Sequence, residues 1–457
     1  MAGMSPAREI AYDTFIAVIE GKRSPDVVID ELITASEKPI KRVDRNLIKE
    51  IVFGSLRWYS KIYWILQHTS NRDLDKSTPE IRAALILGTY QIFYMDRVPD
   101  RAAVNESVEY IRRKSQANAC TFVNGILRQI ARRAQYFAKP DKETKPVAYL
   151  SLQFAHPEWM VERWLKRFKF ARLETMLAAN NVPAPFAIRI NSELSALDKS
   201  QELIQSFLKE ERNHVDRRPL RSCLHVKSSP SIEDGSLFQR GYYTIQGEAS
   251  QLIGYLVAPE QGDHIVDACS GKGGKTTHLV ELLKRSGKVT AVEKDPSQIQ
   301  MAKVAAQRLG HTDHIEFVEA DFAEWKHEGK VQKVLLDSPC SGLGVLRRHP
   351  EGKWLKQPDI VAKMANIQKD LLSHAWSLLS PGGELIYSVC SFETEETTDQ
   401  LKWLMNKYGD KIEIVSPVQR LPDYYKRYVT RENILHIYFG NQDQMDGFGA
   451  FIVKKKS

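Results

Sequence analysis

Two cysteines in this 457-residue chain are placed for chemistry. Cys340 lies in Asp337-Ser338-Pro339-Cys340-Ser341-Gly342, and Cys390 in Tyr387-Ser388-Val389-Cys390-Ser391-Phe392. Each directly follows a run that reads as a strand, 333–337 and 384–389, and each is followed by a serine. A buried cysteine is ordinarily structural. Two of them at the same edge of one sheet fit a reactive pair better. A thiolate is a strong nucleophile that divides one hard substitution into easier steps. It must be partly ionised, and positive charge nearby would help. Lys275, Arg347 and Arg348 are candidates for that charge. Spacing alone does not choose which cysteine attacks.

A second constellation is Asp267-Ala268-Cys269-Ser270-Gly271-Lys272-Gly273-Gly274-Lys275-Thr276. A glycine-rich turn between a strand and a helix lets backbone N–H groups approach a ligand closely. A phosphate-cradling P-loop is excluded, because the glycine it needs five positions before Gly274-Lys275-Thr276 is Cys269. The dinucleotide pattern also fails, since its third glycine would be Thr276. S-adenosylmethionine asks for something else: carboxylates that accept from a ribose diol and amines. Acids stand at or just after the next three strand ends, Glu293, Asp321 and Asp337. Strand-end acids often merely cap the following helix, but three in succession after a glycine turn favour this cofactor.

The elements that must hold these residues can be read from periodicity. From Gly241 onward strands at 264–268, 289–293, 315–320, 333–337 and 384–389 alternate with helices at 276–285, 297–309 and 359–379. Such alternation predicts a parallel sheet with helices on both faces. Ligands bind at the carboxyl ends of its strands. Upstream, 186–190 and 223–226 read as strands around a helix at 201–209, a small α+β module edged by Arg217, Arg218 and Arg221. A basic amphipathic run, 161–170, precedes it. Residues 1–138 carry apolar residues at helical spacing throughout. Thr78-Pro79 supplies a cap and a first-turn proline. The last helix bears Arg128, Arg132 and Arg133 on one face. The polar stretch 139–145 reads as a linker.

Composition is consistent with this. A 42% apolar content supports folded cores, and a net charge of +8 favours a polyanionic partner. Five scattered cysteines indicate neither disulfides nor a zinc site, so no metal is expected and a reducing cytoplasm fits. No signal peptide or membrane-spanning run stands out.

Together these motifs resemble the Sun/Fmu (RsmB-type) RNA cytosine-carbon-5 methyltransferases. The resemblance rests on Gly271–Lys275, Asp337-Ser338-Pro339-Cys340 and Ser388-Val389-Cys390-Ser391. It rests also on Arg347-Arg348-His349-Pro350 through Lys353-Trp354, on Gln246-Gly247-Glu248-Ala249-Ser250 and on His156-Pro157-Glu158-Trp159. The helical N-terminus, with Val123-Asn124-Gly125-Ile126-Leu127-Arg128, resembles NusB. The resemblance implies three parts: an all-α NusB-like RNA-binding domain over 1–138, a small α+β RNA-binding module over 146–240, and a Rossmann-like α/β methyltransferase domain over 241–457. It implies that residues 269–275 with Glu293, Asp321 and Asp337 hold S-adenosylmethionine. Cys390 would be the nucleophile, and Cys340 would assist product release. Asp337, which ends a strand three residues before Cys340, is a further catalytic candidate, placed to contact the cofactor, the target base or both. The target would be carbon-5 of a cytosine in small-subunit ribosomal RNA, with the arginines named above meeting RNA and the protein acting as a monomer. The alternatives are transfer RNA as substrate, or a non-catalytic RNA-binding assembly factor. The chain departs from the family pattern at Gly271-Lys272, where alanine-proline is usual. It departs again at Val389, often threonine, and at Gly247, often aspartate.

Overall fold

The computed structural model describes residues 4–457 except 115, 134–138, 195–196, 211–213, 228–231 and 234, and omits the side chains of 133 and 197. The chain forms two compact units, Met1–Pro183 with Leu346–Pro358, and Ala184–Val345 with Asp359–Ser457.

The described secondary structure of the first unit is helical. Helices Pro6–Ile19, Arg42–Thr69, Pro79–Tyr94, Asp100–Arg113 and Cys120–Arg133 enclose a core that includes Phe15, Ile51, Leu56, Leu85 and Leu127. Thr78 caps its helix as its sequence suggests, its hydroxyl accepting from the Ile81 amide at 3.4 Å. Helices Pro146–Phe154, Glu158–Leu165 and Phe170–Asn180 belong to this unit too, so packing does not break at 139–145. The reason is partly the strap Leu346–Pro358. Its Lys353 is wholly buried and donates to Arg57 O at 3.2 Å, Ala155 O at 3.1 Å and Asn181 Oδ1 at 2.7 Å. Trp354 Nε1 donates to Leu56 O at 2.6 Å. Helices near both ends of the unit are therefore fastened to one segment.

The second unit holds two sheets. Strands β1 (Phe186–Ile190), β2 (His214–Arg217), β3 (Cys223–Lys227) and β4 (Tyr243–Ile245) pair antiparallel in the order β2-β3-β1-β4. Because β4 pairs with β1, a boundary at 241 would cut one strand from the small sheet. The larger sheet contains β5 (His264–Ala268), β6 (Lys288–Glu293), β7 (Ile315–Glu319), β8 (Val331–Asp337), β9 (Leu379–Val389), β10 (Ile412–Val415), β11 (Leu435–Ile437) and β12 (Phe448–Lys455). Its order is β10-β12-β9-β8-β5-β6-β7, with β11 on β12. The strands from β5 to β9 are parallel, as their alternation with helices requires. The sheet as a whole is mixed: β12 runs antiparallel to β9, β10 and β11. Both faces of the parallel part are buried. Val266, Leu336 and Leu385 fall on one side, and Ile265, Leu335 and Ile386 on the other. This accounts for their continuous apolar runs. After β5–β7 the chain crosses to the opposite side of β5, which makes the β5/β8 neighbourhood the switch point where such sheets bind ligands.

Candidate active site

Five strand ends meet at this switch point. After β5 the backbone turns through Cys269 (φ +59°), Gly271 (φ +55°) and Gly273 (φ +75°). At Gly273 a Cβ would also lie 2.9 Å from that of Ala302, so only glycine fits. Helix Gly274–Leu282 follows at once, directing its first amides toward the turn. The Gly271 amide donates to Glu293 Oε2 at 2.9 Å, while Oε1 takes the amides of Lys294 and Asp295. The turn is thus braced by the carboxylate at the end of β6.

A cleft of about 560 Å³, counting its open mouth, lies in front. Cys269, Gly271, Glu293, Asp321, Asp337 and Pro339 are among the residues that line it. Asp337 Oδ2 accepts from Lys275 Nζ at 2.5 Å, and Oδ1 from Ser388 Oγ at 2.7 Å. Lys275 thus faces a carboxylate, not a thiol. Lys272 is exposed and outside the lining. Behind the cleft, Asp267 is fully buried, and desolvation pushes its pKa up to about 7. Its Oδ2 accepts from Thr276 at 2.6 Å, but Oδ1 has no partner. An orphaned carboxyl oxygen, an acid-lined cleft and a helix N-terminus make a donor set that fits a ligand carrying an amine, a carboxylate and a diol. Cys269, by contrast, stays a neutral thiol, pushed up to about 12 by burial and by Glu293.

The two cysteine loops leave adjacent strands, β8 and β9, and their sulfurs lie 3.2 Å apart. The Cys340 thiol is held well above its ordinary value, first by the hydrogen bond to Cys390 and then by burial. At this separation either sulfur can donate to the other. Arg347 and Arg348 belong to the strap Leu346–Pro358.

Two residues at the site escape a reading of sequence alone. Glu396, six residues past Cys390, is fully buried and accepts from the serine after each cysteine. The matching serines were the available signal. Arg189 is the one charge in the apolar strand Phe-Ala-Ile-Arg-Ile. Its guanidinium is wholly buried, bridging both oxygens of Glu281 and reaching Gln246, Thr277 and Gly274 O at the start of the glycine-loop helix.

The arginines expected at RNA divide. Arg128, Arg132 and Arg217 are exposed, and Arg221 is exposed but paired with Asp198 at 2.6 Å. Arg348 is half-buried, and the Arg133 side chain lies outside the described residues. Two assignments are corrected. Arg218 is engaged by Glu248 and Asp443, and Arg347 is buried, so neither presents its guanidinium to a phosphate. Cys223, His225 and Glu248 form a buried trio of metal-ligand type. Glu248, however, already accepts from Arg218, His225 and Tyr425, and the guanidinium disfavours a cation there.

Comparisons with known proteins agree with this architecture. Family profiles match at residues 5–132 (NusB family), 156–232 (RsmF/B-like methyltransferase, ferredoxin-like domain) and 254–454 (16S rRNA methyltransferase RsmB/F). The chain is 31% identical over 453 residues to a probable ribosomal RNA small subunit methyltransferase B of Bacillus subtilis (strain 168), covering 98% of both chains. It is 30% identical over 413 residues to ribosomal RNA small subunit methyltransferase B of Erwinia tasmaniensis, covering 90% of this chain and 92% of that one. Among solved structures, that of PH0851 superposes with a TM-score of 0.82 at 22% identity, over 99% of this chain and 100% of that one. NSun6 from Pyrococcus horikoshii with SFG superposes with a TM-score of 0.57 at 19% identity, over 66% of this chain and 98% of that one. Among the described residues no helix is long and apolar enough to cross a membrane. With the glycine turn, the strand-end acids and the paired thiols in one place, and a full-length relative at 31% identity, the chain belongs to the 16S rRNA methyltransferase RsmB/F family.

Proposed function

We propose that this protein methylates carbon-5 of a cytosine in small-subunit ribosomal RNA, through a covalent adduct on Cys390. The observation that carries this reading is the 3.2 Å approach of two thiols from adjacent strand ends beside the cleft. S-adenosylmethionine is the methyl donor: when bound, it supplies an electrophilic methyl group on a sulfonium. Residues 269–275 with Glu293, Asp321 and Asp337 hold it. Asp337 also keeps Lys275 and Ser388 in place at the mouth of the cysteine loops.

Carbon-5 of cytosine is a poor nucleophile. Cys390, as thiolate, adds to carbon-6, and the displaced electron pair makes carbon-5 enamine-like and able to take a methyl group. The carbon-5 proton then leaves to solvent, its bonding pair reforms the carbon-5–carbon-6 double bond, and the sulfur departs with the carbon–sulfur pair. Cys340 stabilises that departing sulfur by hydrogen bonding to it. RNA binding falls to the helical domain and to the small module built on β1–β4, with the cofactor held by the domain of the larger sheet.

The test is a denaturing gel with labelled RNA. Cys390→Ala abolishes methylation and gives no covalent band. Cys340→Ala gives RNA trapped on Cys390. A band from Cys390→Ala and none from Cys340→Ala would reverse the two roles. Full activity in both variants would remove the thiol mechanism. Bisulfite sequencing with and without the gene then locates the product; a loss confined to transfer RNA would reassign the substrate.

A further inference from the structure

We propose that Glu396 is a positioning residue that holds Cys340 against Cys390, so that product release depends on it more than attack does. The inference rests on the covalent reading above. It stands on the unequal way the two cysteine loops are fastened.

The Cys340 loop is held on both sides by one buried cluster. Ser341 donates twice to Glu396, from its amide to Oε1 at 2.7 Å and from its hydroxyl to Oε2 at 2.5 Å. On the other side of the cysteine, Pro339 O accepts from Gln368 Nε2 at 3.0 Å, and the same amide nitrogen donates to Glu396 Oε1 at 3.1 Å. Removing the carboxylate therefore frees Ser341 and loosens the Gln368 amide that holds Pro339.

The Cys390 loop has other supports. Its single bond to Glu396 is the Ser391 hydroxyl to Oε2 at 2.5 Å. Val389 is still in β9, paired with Gly449 of β12. The Cys390 carbonyl accepts from the Gly344 amide at 3.1 Å, and Gly344 O in turn takes the Gly447 amide at 2.8 Å. The Gly344 bonds also tie the far end of the Cys340 loop, four residues past the cysteine, but none of these backbone bonds involves Glu396, and none holds Ser341 or Pro339 beside Cys340. Loosening Glu396 thus displaces the helper thiol while the nucleophile stays in place.

Glu396 is fully buried and does not line the cleft, so its effect must pass through the loops. It has the chemistry for that task. Both oxygens are saturated by donors, and burial raises its pKa. Glutamine keeps its volume but replaces one acceptor oxygen with a donor, at a group on which two amide nitrogens and two hydroxyls converge.

The experiment compares Glu396→Gln with Cys340→Ala in the full-length protein, with labelled RNA and saturating S-adenosylmethionine. Glu396→Gln is expected to lower kcat by about 100-fold, the scale of an ångström-level misplacement. The KM for S-adenosylmethionine stays unchanged, and a covalent RNA band builds up that disappears when Cys390→Ala is added. Ser391→Ala removes only the Cys390 arm and is expected to give a much weaker band than Ser341→Ala; this pair serves if Glu396→Gln does not fold. Full kcat in Glu396→Gln, lost kcat with no band, or equal bands from the two serine variants would each overturn the proposal. If Cys340→Ala itself traps no RNA, the release role given to Cys340 above has failed, and this one with it.

Discussion

Among the described residues two cations are wholly buried, and they are buried differently. Arg189, behind the glycine loop, has a carboxylate partner: its guanidinium meets both oxygens of Glu281. Lys353, in the strap of the helical unit, has only neutral oxygens around it, two carbonyls and the Asn181 amide. Desolvation is therefore offset by charge in one place and by hydrogen bonds alone in the other. Lys353 responds as an uncompensated ammonium must, its pKa falling well below 10.5. Both cations organise the fold, and neither is available to RNA. Removing one leaves a buried charge behind; removing the other leaves only unmet carbonyls.

The sharpest way to break the comparison is Arg189→Met. It strands Glu281, which is almost fully buried, without its cation. Losing one partner of a buried ion pair costs about 3–5 kcal/mol, so urea unfolding should show a lowered midpoint for the second unit. The variant also releases Gly274 O, so calorimetry should show weaker S-adenosylmethionine binding. Arg189→Lys separates the two effects. It keeps a charge near Glu281 but loses the planar fork, so most stability should return while cofactor binding stays impaired. Normal cofactor affinity in both variants would reduce Arg189 to an ion pair with no link to the loop.

Lys353→Met should cost less. It leaves three acceptors unsatisfied but no unpaired charge, and a buried acceptor without a donor costs about 1–3 kcal/mol. Methionine fills the stem's space. Denaturant unfolding followed by the tryptophans of the helical unit reads the change. A loss as large as that of Arg189→Met would mean that the charge itself, not the hydrogen bonds, carries the strap.

The same pocket predicts a pH dependence. His156 is fully buried, and burial followed by the nearby Lys353 charge holds its pKa well below 6.5. Between its folded value and 6.5 the unfolded chain binds the extra proton. Stability therefore rises with pH across that window and is lost as pH falls below 6.5, by at most about 1.4 kcal/mol per pH unit for one proton. His156→Gln should flatten this slope. His278, buried in the second unit, shifts the same way and keeps its own contribution, so the difference between variant and wild type reads His156 alone. An unchanged slope would show that His156 is protonated in the fold.

Much of this was legible in the residues. The parallel strands announced themselves as apolar runs ending in Asp267, Glu293, Asp337 and Val389, and the cysteines and glycines follow those ends directly. The antiparallel edge was not, because β10–β12 are joined without an intervening α-helix, and nothing in strand composition signals direction. Buried polar partners were illegible for a related reason. Arg189, Glu396 and Lys353 carry ordinary charged side chains, and only packing reveals that Glu281, two serines or three carbonyls await them. Counting charges without that knowledge credited Arg218 and Arg347 to RNA, when one is engaged by carboxylates and the other is buried.

The smallest expected effect extends the comparison from buried cations to exposed ones. If burial separates structural from RNA-facing cations, salt dependence should track exposure. For single strands, each phosphate contact contributes about −0.7 to the slope of log K against log salt. Arg128→Gln, Arg132→Gln and Arg217→Gln should each make the slope shallower by about that amount, with little change in stability. Arg218→Gln and Arg347→Gln should lower the unfolding midpoint and leave the slope alone. Arg221→Gln falls between, because its exposed guanidinium is shared with Asp198 and an exposed pair of this kind is weak. Filter binding across a salt series measures all six. A shallower slope in Arg218→Gln or Arg347→Gln would show that these side chains leave their partners to meet RNA, and burial in the free protein would then be no guide to the bound one.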